Sequence, residues 1–490
     1  MTTREGYRYQ MDGTFSEGLP CPAVISPRAN LPVSTSGIFD VIVVGAGYAG
    51  LTASRDLCKS GYKVLLLEAR DRIGGRTYTA NIDGHLYEMG GTWIHWNQPH
   101  VYHEMHRYGQ TRMSNSNDEK TGCQSFTACF GGEKTSMSHH EEELMVGKAF
   151  GEFCNVDGMG GRLLIPYPHD PHQNPDVKYW EAVSAAQRID QVKHLLDDVQ
   201  LATLQAFIAA ISGNTMQKTG FFDILRWWAL SGYNVSGLYE FTETHKIAAG
   251  QSAFARCFFD EALATGNLCF SFETVVSTVR SFGNKVMVSS VSGQKWVAKR
   301  LVCTAPLNIL SKVQFDPPLP PVKIAASREG HVNFGAKVHL EVEGSYLRSW
   351  VAANWSGNRV FSCRGDGLTP RGNTHLVSFG ANSESGSPQE DAQEFVTELK
   401  KIQPMHVHQV VWHNWLEDPF SRGTWCMFSP RYSFRYLDAL RERHGNVLFA
   451  SGDWAYGWRG FIDGAIEEGC RAAKYISDEL GLSKTVGASL

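Results

Sequence analysis

The residues best suited to chemistry lie near the start of the chain, where a glycine-rich turn precedes an acidic residue. The turn is Gly45-Ala46-Gly47-Tyr48-Ala49-Gly50, and Glu68 follows it at the end of an apolar run. Glycines at this spacing permit a tight turn and let backbone N–H groups approach a pyrophosphate. A carboxylate placed after the second strand can accept hydrogen bonds from a ribose. The pattern predicts a dinucleotide site.

Two strands and one helix must position these groups. The apolar run at residues 40–44 predicts a buried parallel strand, residues 48–60 the helix after it, and residues 63–67 a second strand. A pyrophosphate would then lie at the positive end of the helix. A bare G-x-G-x-x-G is a weak signal, so the strand–turn–helix–strand context carries the prediction.

A basic and glycine-rich segment follows the acidic residue. Arg70, Gly74-Gly75 and Arg76 come first, and Glu88-Met89-Gly90-Gly91-Thr92-Trp93 comes shortly afterwards. This block resembles the N-terminal part of the flavin-containing amine oxidase family. In that family the arginines meet the diphosphate, and the later Gly-Gly passes against the isoalloxazine. The resemblance favours FAD over NAD as the cofactor.

The final part of the chain returns to the cofactor. A strand at residues 447–451 ends in Gly452-Asp453, and a helix starts within Trp458-Arg459-Gly460-Phe461-Ile462-Asp463-Gly464-Ala465. An acid after a strand can bind a ribityl hydroxyl, and a helix start can offer N–H groups to a flavin carbonyl. With Gly250–Arg256, these segments extend the resemblance from about residue 40 to 480. Within the family, the chain looks most like soluble fungal monoamine oxidases.

The resemblance implies a set of cofactor-binding residues that is spread over the chain. Position by position, the implied FAD contacts are Gly45, Gly47, Ala49, Gly50, Glu68, Ala69, Arg70, Gly75, Arg76, Gly90, Gly91, Thr92, Trp93, Val276, Trp415, Gly452, Asp453, Phe461, Ile462 and Ala465.

Three further residues would form the catalytic face. Lys337 matches the family's lysine that holds a water against flavin N5, and a lone lysine in an apolar alternating strand is costly to bury without a partner. Trp425 and Phe461 match the two rings that stand either side of the substrate nitrogen. Two facing rings form a slot for a slender amine and attract an ammonium by cation–π interaction.

One position departs from some members of the family. Where relatives carry a cysteine linked to the flavin, this chain has Thr424, and Cys426 lies on the far side of Trp425. We expect FAD to be bound non-covalently, and we expect no bound metal.

The activity implied by the resemblance is oxidation of primary or secondary aliphatic or arylalkyl monoamines to aldehyde, ammonia and H2O2, with O2 as oxidant. A polyamine oxidase would instead need acids such as Asp223, Glu240 or Glu243, and an L-amino-acid oxidase a cavity arginine such as Arg226 or Arg348. A chromatin-bound flavoprotein or binding module is the alternative from another class.

Composition agrees with a cofactor enzyme. The 490 residues suffice for two domains, and the contents of 42% apolar and 20% charged residues are ordinary for a globular protein. A net charge of −4 without a Lys/Arg block argues against a nucleic-acid partner. No stretch reaches the roughly eighteen apolar residues of a membrane span. The expected partners are an amine and O2, and a homo-oligomer stays open.

The cysteines and termini bear on localisation. Eleven cysteines without a C-x-x-C indicate reduced thiols of an intracellular protein, and the first thirty residues lack a signal-peptide segment. The C-terminal Ala488-Ser489-Leu490 is similar to the peroxisomal Ser-Lys-Leu signal but lacks its basic residue. We expect a cytoplasmic or peroxisomal protein.

The predicted fold class is α/β, with a Rossmann-like FAD-binding domain interleaved with an α+β substrate domain. We assign residues 40–113, 248–326 and 418–480 to the FAD-binding domain and residues 114–247 and 327–417 to the substrate domain. Residues 1–39 are expected to form a loosely packed arm and residues 481–490 a tail. Helical spacing predicts helices at 187–210 and 221–232, and short strands are predicted at 268–272, 275–279, 285–289 and 294–302.

Overall fold

The computed structural model describes residues 1–31, 39–116, 125–357, 360–381 and 392–487. Its strands are β1 Tyr7–Gln10, β2 Phe15–Glu17, β3 Phe39–Val44, β4 Val64–Leu67, β5 Thr79–Ile82, β6 His85–Glu88, β7 Met113–Asn115, β8 Ser125–Phe130, β9 Glu133–Met137, β10 His245–Ile247, β11 Leu268–Ser271, β12 Val276–Phe282, β13 Lys285–Ser290, β14 Lys295–Cys303, β15 Gln314–Asp316, β16 Gly335–Val342, β17 Trp350–Trp355, β18 Val360–Leu368, β19 Thr374–Ala381, β20 Val407–Trp412 and β21 Val447–Phe449.

The helices are α1 Tyr48–Lys59, α2 Pro99–Arg107, α3 His139–Cys154, α4 Val177–Glu181, α5 Ala185–Val192, α6 Asp198–Ser212, α7 Phe221–Leu230, α8 Val235–Glu243, α9 Gln251–Ala264, α10 Leu307–Leu310, α11 Pro321–Glu329, α12 Ala392–Ile402, α13 Tyr432–Arg441 and α14 Ile462–Gly487. Two 3-10 turns lie at Lys193–Leu195 and Gly452–Trp454.

The first large sheet contains the predicted dinucleotide-binding strands. Its order is β11-β4-β3-β14-β13-β12-β15, with β21 also paired to β14. The neighbours β11, β4, β3 and β14 run parallel, and α1 and α9 pack together beside them. Strands buried on both faces read as continuous apolar runs, which is why the sequence signalled β3 and β4. The α/β prediction is confirmed.

The second large sheet carries Lys337. Its order is β2-β1-β20-β16-β19-β18-β17-β8-β9. The apolar residues of β16 face a core shared with α12, whereas Lys337 and His339 point the other way, towards the carbonyl of Glu88. The structure buries both faces of this strand.

The prediction of a loosely packed N-terminal arm is wrong. Residues Tyr7–Gln10 form β1, which pairs antiparallel with β20, and the Tyr7 ring stacks on Trp412 at 5.6 Å between centroids. Just before β1, Glu5 makes ion pairs with Arg70 and Arg72. Pairing of β1 with β20 and the ion pairs of Glu5 hold this segment in place. Neither interaction could be predicted from the local sequence.

The helix predicted at residues 187–210 is interrupted. The chain forms α5, the 3-10 turn Lys193–Leu195 and then α6. The Asp197 side chain accepts from the Gln200 backbone N–H, and the Gln200 side chain reaches back to the Asp197 backbone N–H. This capping box begins a new helix where apolar spacing alone continues the old one.

The remaining expectations concern the termini, membrane and thiols. Ala488-Ser489-Leu490 lies outside the described residues, so a targeting role for this tripeptide stays a prediction. Within the described ranges, no helix combines the length and apolar character that a bilayer span requires. The ten cysteines in these ranges are free thiols. Apart from β1 and β2, which lie in the segment assigned to the arm, the strands of the two large sheets fall in the segments assigned above to different domains, and the boundaries themselves remain predictions.

Candidate active site

A cavity of about 580 Å³ lies where segments of both large sheets meet. It is lined by the carboxyl ends of β3 and β4, by the starts of α1 and α14, and by one face each of α6, α7 and α8. The sequence-predicted residues that line it are Gly45, Gly47, Ala49, Glu68, Ala69, Arg70, Gly75, Arg76, Gly90, Gly91, Thr92, Trp93, Val276, Lys337, Trp415, Trp425, Gly452, Asp453, Phe461, Ile462 and Ala465.

Gly50 is the predicted cofactor residue that does not line the cavity. A Cβ at this position would lie 1.9 Å from the Gly45 carbonyl oxygen. The third glycine of the turn therefore permits close packing of α1 against the end of β3. The structure gives Gly50 this packing role, and its contact with FAD stays a prediction.

The start of α1 suits a pyrophosphate. Gly47 caps this helix without a side-chain hydrogen bond, and the first turn carries no acidic residue. The N–H groups of that turn are thus left for another acceptor, at the positive end of the helix dipole. Side chains are excluded nearby, because a Cβ on Gly75 would lie 3.1 Å from the Gly47 Cα. The cradle fits an anionic dinucleotide.

Glu68 closes the turn from the other side. Its two carboxylate oxygens accept from the backbone N–H groups of Ala46 at 2.5 Å and Arg70 at 2.9 Å. Burial raises the pKa of Glu68 above its ordinary value, although the Arg70 guanidinium opposes this. Its place after β4, on the cavity wall, matches the position predicted for a ribose acceptor.

The two predicted diphosphate arginines differ in their surroundings. Arg70 donates to both oxygens of Asp418, at 2.7 and 2.9 Å, and to Ser421 at 2.9 Å, in addition to Glu5. Protein acceptors therefore hold most of its guanidinium. Arg76 is 22% exposed at its side chain, which leaves it more accessible from the cavity.

Arg76 and Asp453 connect distant segments of the cavity wall. The part of the cavity lined by the predicted FAD contacts is called the cofactor half below. Arg76 donates to the Thr424 carbonyl and to Asp453, both at 2.7 Å. Asp453 also accepts from the Leu307 backbone N–H at 2.9 Å. Burial disfavours the charge on Asp453, but Arg76, His331 and the Leu307 backbone N–H together outweigh burial, and the pKa of Asp453 lies below its ordinary value. Asp453 is thus a fixed carboxylate on the cavity wall.

Lys337 reaches the cavity from β16. Its Nζ donates to the carbonyl oxygens of Glu88 at 2.8 Å and Gly90 at 3.1 Å, and also to the Thr92 hydroxyl. It lies 4.7 Å from the centre of the Trp93 ring. Burial lowers the pKa of Lys337 from 10.5 to about 7. One ammonium thus orders the whole predicted isoalloxazine-facing loop.

The two predicted cage rings both line the cavity. The Trp425 indole N–H donates to the Ile211 carbonyl at 2.8 Å, which fixes the plane of the ring. The Phe461 ring lies 4.7 Å from Trp227. Apolar side chains cover the wall around them: Phe150, Phe207, Ala210, Ile211, Trp227, Leu238 and Phe379. This part of the cavity, with the α8 residues described next, is called the substrate half below.

Helix α8 adds polar groups to the substrate half. Tyr239, Thr242 and Glu243 line the cavity, and Glu243 makes an ion pair with Arg364. Of the acids considered for a polyamine oxidase, Asp223 is instead buried against two arginines and Glu240 does not line the cavity.

The arginines considered for an amino-acid oxidase do not line the cavity either. Arg226 donates to the Gly457 carbonyl at 2.8 Å and contacts Asp223. Arg348 donates to the Ser116 carbonyl. Neither guanidinium belongs to the wall of the cavity.

The surroundings of Thr424 bear on how a flavin is attached. Thr424 lines the cavity and its hydroxyl donates to Asn333 Oδ1 at 2.6 Å. Cys426 is buried elsewhere, with its thiol 3.3 Å from the Asp453 carbonyl oxygen. Among the residues that the structure describes, no cysteine lines the cavity.

Sequence reasoning missed several residues of the cofactor half. Thr304-Ala305-Pro306 and Phe420 line the cavity, and Asp418 and Glu5 hold Arg70 from behind. The predicted strand ending near residue 302 was a usable signal for the first segment. No sequence signal pointed to Glu5, because its partners Arg70 and Arg72 lie more than sixty residues away in the chain.

Potential metal ligands gather away from the cavity. Within the described ranges the groups are His95, Glu240 and His245; Glu343, His406 and His408; and Glu5, His413 and Asp418. In the first group His95 Nδ1 accepts from the Asn97 backbone N–H at 3.0 Å. A neutral His95 then carries its proton on Nε2, the nitrogen that faces Glu240, which does not suit coordination. The sequence prediction of no metal stays a prediction.

Comparison with known proteins decides the family. The family model described as flavin-containing amine oxidoreductase matches residues 48–477. The chain belongs to this family. FAD is accordingly the cofactor, and the predicted family and cofactor are confirmed at this level. The activity class is that of an oxidoreductase acting on amines, and the cavity described above is where the family's cofactor fits.

Individual relatives within the family extend over nearly the whole chain. Identity is 30% over 452 residues to a nicotine dehydrogenase of Pseudomonas putida, which covers 90% of this chain and 89% of that protein. It is 29% over 443 residues to a pseudooxynicotine dehydrogenase of a Pseudomonas species, covering 89% and 86%. A solved putrescine oxidase variant superposes with a TM-score of 0.75 at 22% identity, covering 90% of this chain and 99% of that one.

Proposed function

We propose that the protein oxidises primary, and also secondary, aliphatic or arylalkyl monoamines to aldehydes, with release of ammonia or the smaller amine and H2O2, and with O2 as oxidant. The observation that carries this proposal is the substrate half of the cavity. Its wall is mostly aromatic and aliphatic, and the two rings Trp425 and Phe461 lie on it beside the flavin-binding segments.

When bound, FAD supplies the two-electron acceptor for this reaction, and O2 restores it. The chain fits that cofactor through the unfilled start of α1, the glycine cradle and the carboxylates of Glu68 and Asp453. Thr424 lies on the cavity wall and Cys426 does not, which favours non-covalent attachment.

The protein's own groups bind and orient the amine. Two aromatic faces admit a slender apolar chain and attract an ammonium at entry through cation–π interaction, worth about 0.5–2 kcal/mol. The apolar wall excludes water, so the amine loses its proton before it settles between the rings. Lys337 holds the Glu88–Thr92 segment in place through three hydrogen bonds. As a group with a lowered pKa, it can exchange a proton with a neighbouring water near neutral pH.

The two other oxidase specificities receive less support from the geometry. Glu243 is the acid on the wall of the substrate half, and Arg364 already pairs with it, which leaves little net negative charge for a polyamine. Arg226 and Arg348 are turned away from the cavity, so a substrate carboxylate lacks a cationic partner among them. A cytoplasmic or peroxisomal location and a homo-oligomeric state remain predictions.

The test is peroxide release from the purified yellow protein with hexylamine, benzylamine, spermidine, L-leucine and nicotine. Turnover of the first two alone is the expected result. Nicotine is included as the second candidate, because relatives are named for nicotine and pseudooxynicotine. Turnover of spermidine or leucine alone would overturn the substrate assignment. A flavin-loaded protein that oxidises none of the five would favour a binding module.

A further inference from the structure

The face of α8 that lines the substrate half carries a compact group of polar side chains. Leu238, Tyr239, Thr242 and Glu243 line the cavity together. Residues separated by three or four positions share one side of a helix, so a single stripe of α8 forms this part of the wall. Glu240, one residue along, points off the stripe and does not line the cavity.

The hydroxyl protons of this group are already used inside the protein. Tyr239 donates its phenolic proton to Glu142, and Thr242 donates to the Leu238 carbonyl at 2.6 Å. The oxygens of both residues keep lone pairs, and the Glu243 carboxylate can only accept. The three side chains therefore present acceptors.

Elsewhere on the wall of the substrate half, the described side chains offer no competing acceptor. The indole N–H groups of Trp425 and Trp227 only donate; that of Trp425 is bound to the Ile211 carbonyl, and that of Trp227 is buried without a partner among the described residues. The other described residues on this wall are apolar: Phe150, Phe207, Ala210, Ile211, Leu238, Phe379 and Phe461. A ligand with a hydrogen-bond donor at its far end would find partners at α8 and nowhere else on this wall.

The ion pair of Glu243 with Arg364 favours a neutral hydrogen-bond donor on the ligand over a charged one. Arg364 on β18 has a side chain only 4% exposed and contacts the Glu243 carboxylate. The arginine compensates the negative charge, while carboxylate lone pairs still accept hydrogen bonds. A neutral hydroxyl or N–H gains such a bond at a small desolvation cost. An ammonium costs far more to desolvate, and the Arg364 guanidinium beside Glu243 repels it.

Helix α6 sets the distance between this group and the aromatic rings. The Ile211 carbonyl holds Trp425, and the Phe207 ring lies 6.1 Å from the Tyr239 ring. Four residues along a helix rise about 6 Å. A chain of five or six carbons that carries its amine at Trp425 therefore suits a donor at the α8 end.

We propose that Tyr239, Thr242 and Glu243 form a subsite for a neutral hydrogen-bond donor, so that the preferred substrates are monoamines with a distal hydroxyl or neutral N–H group. The subsite deepens the proposed function and rests on it. It is a specificity site, remote from the reacting carbon, and acts mainly on KM.

The test compares kcat/KM for 6-amino-1-hexanol, hexylamine and 1,6-diaminohexane. In the wild type, the amino alcohol should exceed hexylamine roughly tenfold, as a hydrogen bond to a charged acceptor predicts. Glu243→Gln and Thr242→Val should each lower that ratio at least threefold, chiefly through KM. Thr242→Val leaves the Arg364 pair intact and covers the case in which Glu243→Gln folds poorly. Glu240→Gln is the matched control on the same helix and should leave the ratio unchanged.

The outcomes separate the subsite from the activity itself. Oxidation of hexylamine without preference for the amino alcohol, or a preference that survives in both variants, would overturn the subsite and leave the oxidase intact. A preference for the diamine would overturn the neutral-donor assignment. Failure to oxidise hexylamine and the amino alcohol, in protein that retains its flavin, would overturn the proposed function.

Discussion

At the scale of single residues, Lys337 shows how burial and function meet. The sequence indicated it because a lone lysine interrupts an apolar alternating strand. The structure gives it three acceptors and lowers its pKa to about 7 by burial, with Glu88 and Asp366 opposing that shift and Lys246 adding to it. Its neighbour His339 is also turned to the Glu88 carbonyl, at 3.0 Å. The lysine therefore titrates near neutral pH.

Replacement of Lys337 by methionine should change how stability depends on pH. Between pH 7 and 10.5 the unfolded lysine binds a proton that the folded lysine has lost, so the wild type gains stability as pH rises through this window. Methionine has no such proton. The free energy of unfolding of the wild type, relative to Lys337→Met, should therefore be larger at pH 9.5 than at pH 7 in urea titrations. An equal difference at both pH values would contradict the buried, lowered pKa.

Thr424 supports a prediction about attachment of the cofactor. No cysteine of the described ranges lines the cavity, so FAD would meet no thiol among these residues. Acid precipitation of the yellow protein should leave all flavin absorbance in the supernatant and a colourless pellet. A pellet that stays yellow after washing would show a covalent bond.

Sequence patterns identified the site residues whose role depends on their neighbours in the chain. They missed those whose role depends on contacts between distant segments. The turn at Gly45, the acid Glu68 and the segment around Gly90 and Gly91 were readable, because each depends on neighbours in sequence. Gly50 was assigned to the cofactor, although its space is taken by the Gly45 carbonyl. Steric contacts of that kind appear only when strand and helix are packed.

At the scale of elements, the N-terminal segment connects the two halves of the molecule. Strand β1 extends the nine-stranded sheet, while Thr3 and Glu5 bind Asp71, Arg70 and Arg72 beside the cofactor turn. The side chains of both arginines are at most 4% exposed. Their charges therefore depend on acids from elsewhere in the chain, and Glu5 is one of these.

Replacement of Glu5 by alanine should destabilise the folded protein. It removes one partner from a largely buried ion cluster, a change that costs on the order of 3 kcal/mol. Thermal unfolding should show a lower Tm, in both the apoprotein and the FAD-loaded protein. Glu17→Ala is the control, since Glu17 lies exposed on β2. Equal Tm values for the two variants would contradict the role given to Glu5.

Element boundaries were predictable where pattern and packing agree. The strands from residue 268 to 303 were placed within a few residues, because turn signals separate them. The break between α5 and α6 was missed, since apolar spacing continues across it. The pair Asp197 and Gln200 was a readable capping signal in the sequence. The pairing of β1 with β20 spans about four hundred residues and leaves no local trace.

At the scale of the whole molecule, one sheet holds the dinucleotide turn and the other supplies Lys337, while helices α3, α6, α7 and α8 supply most of the apolar wall. The cavity is continuous from the end of β4 to α8. A cofactor held at one end can therefore meet an amine held at the other. The family and the fold predicted from the motifs are confirmed, whereas the motifs that were readable in the sequence do not include the α6, α7 and α8 side chains that line the substrate half.

The most direct test of this account is anaerobic mixing of the oxidised protein with benzylamine while the flavin absorbance near 450 nm is recorded. We predict that the absorbance is lost completely without oxygen, and that it returns on admission of air with one H2O2 formed per flavin. Absorbance that stays unchanged with benzylamine and hexylamine, in protein carrying a full complement of FAD, would contradict the central claim that this cavity brings a monoamine to the flavin.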